Sequence, residues 1–119
     1  MPDFLNFTRQ AQVKLQPTTR NLPLRFSFTQ CSSETANDGA IPYGETISSA
    51  VVKAYGPSGT EVTTSMVTQA AAVDGLNVSC EISWYTGVSD GLHRLTVILT
   101  MSSGYIDEFD CQRILVVNT

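Results

Sequence analysis

Apolar residues at every second position constrain this chain more than any other feature. Between Asn21 and Phe28, Leu22, Leu24, Phe26 and Phe28 take alternate places, with Arg25 and Ser27 between them. Successive side chains of a strand point to opposite faces, so this spacing predicts a strand with one buried and one wet face. The pattern returns at Leu76, Val78, Cys80, Ile82 and Trp84, and again at His93, Leu95, Val97, Leu99 and Met101. Turn residues fall between these runs: Gly-Pro-Ser-Gly at 56–59, Asp74-Gly75, Asp90-Gly91 and Ser103-Gly104. Each supplies a residue that takes positive φ at little cost, as a strand reversal requires. Strands are therefore predicted near 11–16, 21–30, 46–55, 60–67, 75–84, 92–102 and 105–117. About seven short strands with regular turns are the expected signature of an all-β, two-sheet antiparallel sandwich of immunoglobulin-like type.

A chain of 119 residues suits one domain with a single core. Residues 11–119 are assigned to the sandwich, and residues 1–10 to an N-terminal arm or edge strand. Phe4, Leu5 and Phe7 in that segment either dock on a neighbour or complete the sheet. Two stretches break the alternation. Residues 31–45 are polar with Gly and Pro and read as a long loop, in which Ile41 and Tyr43 are candidate partner-binding residues alongside Phe4, Leu5 and Phe7. Thr68–Val73, with Ala70-Ala71-Ala72, has the composition of a single helical turn too short to stand alone.

Charge narrows the function classes. The seven Lys and Arg are scattered, the net charge is −4, and only 15% of residues are charged. Phosphate binding needs a cationic face, so neither nucleic acid nor an anionic membrane is an expected partner. So few charges suit a surface packed against neighbours. No basic segment followed by an apolar one opens the chain, and no stretch nears the roughly 20 apolar residues of a spanning helix, so export by a signal peptide is not expected.

The residues that carry chemistry do not assemble into a motif. Cys31, Cys80 and Cys111 are odd in number and lack paired spacing, which argues against a disulfide framework or a zinc site and for thiols buried as small hydrophobes. The one histidine, His93, falls in the inward row of a strand. Its surroundings, Asp90-Gly91-Leu92-His93-Arg94-Leu95, resemble the tyrosine corner of immunoglobulin-like domains, which implies that its ring bonds back to the chain. Asp107, Glu108 and Asp110 lack the spacing of a calcium loop, and alternation sends Asp107 and Glu108 to opposite faces. Gly-Pro-Ser-Gly is not a phosphate cradle. Asn6-Phe7-Thr8 and Asn77-Val78-Ser79 match the glycosylation pattern by chance if the chain is not exported. Trp84, in line with Ile82, is expected in the core. No catalytic residue, metal or cofactor is expected, and the chain reads as a non-enzyme.

The run Ile47–Thr63, with its Pro-Ser-Gly turn and Thr-rich continuation, and the later Gly91–Gly104, ending in Ser-Ser-Gly, resemble the small immunoglobulin-like structural proteins of tailed-phage virions. The likeness covers about 46–117. The chain lacks the two inter-sheet cysteines of antibody-type domains, and Phe26 or Phe28 and Leu95 or Val97 would fill their places. The resemblance implies a virion structural protein made in the host cytoplasm. It would be a decoration or cement protein on the capsid surface, bridging neighbouring subunits of the major capsid protein or another virion protein, in many copies or as a homo-oligomer. The alternative is an adhesion or carbohydrate-binding module of a fibre or tail using Tyr43, Tyr85 and Tyr105, or a head–tail neck component.

Overall fold

A computed structural model describes residues 7–8 and 12–118. It contains β1 (Phe7–Thr8), β2 (Val13–Leu15), β3 (Leu22–Phe28), β4 (Ile47–Tyr55), a single helical turn α1 (Thr63–Met66), β5 (Val67–Asp74), β6 (Asn77–Ile82), β7 (Gly91–Met101) and β8 (Ile106–Val116). The strands form two four-stranded sheets, ordered β1-β3-β6-β5 and β2-β8-β7-β4. All pairings are antiparallel except that of β2, which runs parallel to β8. The chain thus crosses from the first sheet to the second between β1 and β2. The protein is an all-β sandwich.

The alternating rows meet between the sheets. Phe26, Val78 and Ile82 of the first sheet and Leu95, Val97, Leu99 and Ile114 of the second are wholly or almost wholly buried. Burying such a side chain contributes roughly 1.5–3 kcal/mol, so these rows dominate the stability of the fold. At the β5–β6 hairpin, Gly75 opens a two-residue loop with φ 63°, a value that a side chain would strain and that a tight reversal of this kind needs.

One expectation is inverted. The strand expected over 60–67 and the helical turn expected near Ala70-Ala71-Ala72 exchange places: Thr63–Met66 is the turn and Val67–Asp74 the strand. Met66 is wholly buried from that turn, and the N–H groups of Ser65 and Met66 both donate to the Val62 carbonyl. The alanines are held extended by pairing with β6, where the register shifts between Val67 and Gln69 and again between Gln69 and Ala72. Tertiary pairing overrides alanine's helix preference, and the irregular register erases the period-two signal. Trp84 also departs from its expected place. β6 ends at Ile82, Ser83 turns into the interior, and Trp84 is only partly buried, donating from Nε1 to Asn118 Oδ1 at 2.6 Å.

Candidate functional site

The connection between β3 and β4 is too long for a simple turn, and loops of this length are commonly functional. It is folded on itself. Cys31 N–H donates to the Ile41 carbonyl at 2.7 Å, and Ile41 N–H returns a bond to the Thr29 carbonyl at 3.0 Å. The Gln30 side chain donates to the Glu45 carbonyl at 2.6 Å. Gly39 makes this closure possible: a Cβ there would lie 2.4 Å from the Thr29 carbonyl oxygen and 2.8 Å from Cys31 N. Asp38 accepts from the Ser32 N–H at 3.0 Å and its hydroxyl at 2.7 Å. The Ser32 amide, with its hydroxyl, holds the Asp38 carboxyl below the usual aspartate range.

A second clamp joins this loop to the turn between β7 and β8. Glu45 Oε1 accepts from Ser103 N–H at 3.0 Å and from the Ser102 hydroxyl at 3.1 Å. The Ser103 amide is the main reason its carboxyl lies below the ordinary glutamate value. Thr46 and Ser102 add a backbone bond of 2.8 Å. Two loops distant in sequence therefore form one surface at one end of the sandwich.

That surface carries Tyr43 and Tyr105, exposed by 53% and 50%. Between them lies a depression of about 370 Å³, also lined by Glu34, Asn37, Asp107 and Phe109. Tyr105 donates to Asp107 Oδ2 at 3.3 Å, and the Asp107 charge pushes the phenol pKa up. Glu34 and Asp107 line the depression, Asp38 and Glu45 lie on the same long loop as Tyr43, and neither 29–46 nor 102–110 contains a Lys or Arg. The surface is aromatic and acidic, chemistry that suits a partner presenting cations and apolar groups.

The expected partner-binding residues separate. Tyr43 stands on this surface. Ile41 is wholly buried, which removes it from any docking face: its side chain pins the long loop to the core. Phe4 and Leu5 lie outside the described residues, as does the side chain of Phe7, whose backbone pairs with Phe28 at the edge of the first sheet. Sequence reasoning missed Gln30, Gly39, Glu45, Ser102 and Ser103. Their roles rest on contacts between distant segments, and the local turn signals at Asp38-Gly39 and Ser103-Gly104 mark reversals without showing that the two loops meet.

The other candidates have structural surroundings. His93 is buried, with Nδ1 3.3 Å from the Gly91 carbonyl two residues upstream, so its ring does bond back to the chain. Asp110 pairs with Arg113 at 2.7 Å. Cys80 and Cys111 are buried, Cys31 half-buried, and no disulfide joins them. Tyr85 is partly buried against the core rather than beside Tyr43 and Tyr105. Among the described residues no group of three His, Cys, Asp or Glu side chains could hold a metal ion, and no helix is long and apolar enough to cross a membrane. No protein-family model matches the chain, and no curated protein matches it.

Proposed function

We propose that this protein is a non-enzymatic, immunoglobulin-like structural domain of a tailed-phage virion, and that the Tyr43–Tyr105 surface is its docking face. The observation that carries the reading is the pair of half-exposed tyrosines fixed on two loops by the Glu45–Ser103 clamp. Preorganised tyrosines bury large area at small entropic cost, as in binding loops generally. Three further features support it. Apart from the short parallel edge strand β2, the strand order β1-β3-β6-β5 against β2-β8-β7-β4 is that of the four-on-three arrangement of constant-type immunoglobulin domains. His93 occupies the place of the corner tyrosine. The two loops of the docking face correspond to two of the three binding loops of variable domains. The partner is the major capsid protein or another virion protein, met through a surface richer in Arg, Lys and apolar groups.

The test is incorporation into particles of the phage that encodes the chain. Tyr43→Ser combined with Tyr105→Ser should lower the copy number in purified particles at least tenfold while leaving the melting temperature of the isolated protein unchanged. Absence of the unaltered protein from the particles would refute the virion role. The depression between the tyrosines, lined by Asn37 and carboxylates, favours one second reading, a glycan-binding module of a fibre. Saturable binding to a glycan array, lost in the same double variant, would select it.

A further inference from the structure

Beside β4 the chain starts a further strand and abandons it. Past the Gly-Pro-Ser-Gly turn, Gly56 N–H donates to the Thr60 carbonyl and Val62 N–H to the Ala54 carbonyl, both at 2.8 Å. The Ala54 N–H donates in turn to Thr63 Oγ1 at 3.0 Å. Both main-chain groups of Ala54 therefore point away from β7. In an antiparallel pair that direction repeats at every second residue, so the N–H and carbonyl groups of Val52 and Ala50 point the same way. At their level the returning chain has already left through α1 for the other sheet. Among the described residues no strand pairs with β4 on this side, and no loop bonds to the main chain of Ala50 or Val52.

Next to this open stretch lies a groove of about 330 Å³ between the edges of the two sheets. Val52 and Val67 line it with Ala50, Thr64, Ala70 and Ala71, and no charged side chain does. The alanines leave it open where larger side chains would fill it. Val51, on the outer face of the same stretch, is 51% exposed. A strand added here meets apolar surface on both of its faces.

We infer that this slot takes the segment around Phe4 and Leu5 of a second copy, as an added strand beside residues 49–53. Adjacent residues of an extended chain face opposite ways, so one of the two side chains enters the groove and the other covers Val51. Two apolar neighbours in sequence are what a strand covered on both faces needs, and residues 1–8 contain no Lys or Arg to be desolvated. Main-chain bonds to Ala50 and Val52 hold such a strand, and the groove selects its side chains.

The donor is not the same copy. β5 and β4 line one groove, so β1, at the other end of the first sheet, borders the opposite side of the sandwich. Three strand spacings, about 14 Å, separate β1 from β5, and the slot beside β4 lies further still. Phe4 is three residues from Phe7 in β1 and reaches at most about 11 Å from it. Each copy thus gives one arm and takes one. Exchange between two copies closes a dimer, and passing the arm onward builds a chain. So short a contact is weak in free solution and is strengthened where many copies are held together. It uses neither tyrosine loop, so it stands or falls apart from the docking face.

Sedimentation velocity of the full chain should show reversible self-association between about 10 µM and about 1 mM. Phe4→Ser combined with Leu5→Ser should weaken it at least tenfold and leave the melting temperature of the dilute protein unchanged. Ala50→Pro removes an open N–H at an edge, where proline is tolerated, and should weaken it as much. Ala70→Lys puts a charge into the groove and serves the same purpose if the proline prevents folding. Mixed in equal amounts, the arm variant and a folded groove variant should associate again, because the first keeps its slot and the second its arm. The Ala50 and Val52 amides should gain exchange protection as the parent is concentrated, and the arm variant should not show that gain. A parent that stays monomeric at the highest concentration overturns the inference. So does a mixture that stays monomeric, or an association that leaves those two amides unprotected. A lower melting temperature in the dilute arm variant would put the arm on its own domain and overturn it equally. Particle incorporation that still depends on Tyr43 and Tyr105, with no self-association, would remove this contact and leave the docking face standing.

Discussion

Glu45 accepts a hydrogen bond from the backbone N–H of Ser103 at 3.0 Å, joining two loops separated by 58 residues. The bond favours the ionised carboxylate, which is why its pKa lies below the ordinary 4.5. A depressed folded-state pKa contributes stability above the unfolded value, and that contribution is lost as pH falls through the folded one. The Ser103 amide resonance should therefore titrate with a midpoint below 4.5, and the titration should vanish in Glu45→Gln. A midpoint at or above the ordinary glutamate value would mean that the clamp does not form in solution.

Gly39 predicts a sharper result. Its missing Cβ leaves room for the Thr29 carbonyl, the Gln30 backbone and Cys31 N, all of which would lie under 3.0 Å from an added methyl group. Backbone atoms held in two hydrogen bonds cannot step aside as a flexible side chain would. Gly39→Ala should cost about 1–3 kcal/mol in denaturant unfolding, the range for overpacking. The amides of Cys31 and Ile41 should lose exchange protection first. A variant as stable as the parent, with those amides still protected, would show that the loop closes differently.

The contrast between β3 and β5 shows why part of the fold was legible in the sequence. β3 buries one face and wets the other, so Leu24, Phe26 and Phe28 write their environment as strict alternation. β5 is an edge strand with mostly exposed or half-exposed side chains, and nothing in Ala70, Ala71 or Ala72 distinguishes its two faces. The rows facing the core were therefore readable, as was the half-buried edge strand β4, and β5 was not. The candidate site divides in the same way. Tyr43 could be found because a loop aromatic is conspicuous, whereas Glu45 and Ser103 are ordinary polar residues until the fold places them together. Ile41 misled for a physical reason: an isolated apolar residue in a polar loop serves equally well as an anchor turned inward or a contact turned outward.

The core rows make a quantitative prediction. Leu95 is wholly buried, and Leu95→Ala removes its contacts and leaves a cavity that a two-sheet core closes only in part. The expected loss is about 2–5 kcal/mol, read as a lower midpoint in urea with an unchanged slope. Val51, on the outer face and half exposed, is the control: Val51→Ala should stay within about 0.5 kcal/mol. Equal losses at the two positions would contradict the assignment of inner and outer faces.

The three thiols should separate by reactivity. Cys31 is half-buried on the long loop, its Sγ 3.5 Å from the Gly39 carbonyl, whereas Cys80 and Cys111 lie in the core. Burial, reinforced by the charge of Glu81, pushes the Cys80 thiol up to about 11, leaving roughly one molecule in a thousand ionised at about pH 8. The thiolate is the reactive species, so access and ionisation act in the same direction. A disulfide reagent should modify Cys31 quickly in the folded protein and Cys80 and Cys111 only as it unfolds, at a rate set by the unfolding equilibrium. Adding Leu95→Ala should speed the slow phase and leave the fast one unchanged. Three equal native rates would show that the sheets open far more readily than this packing allows.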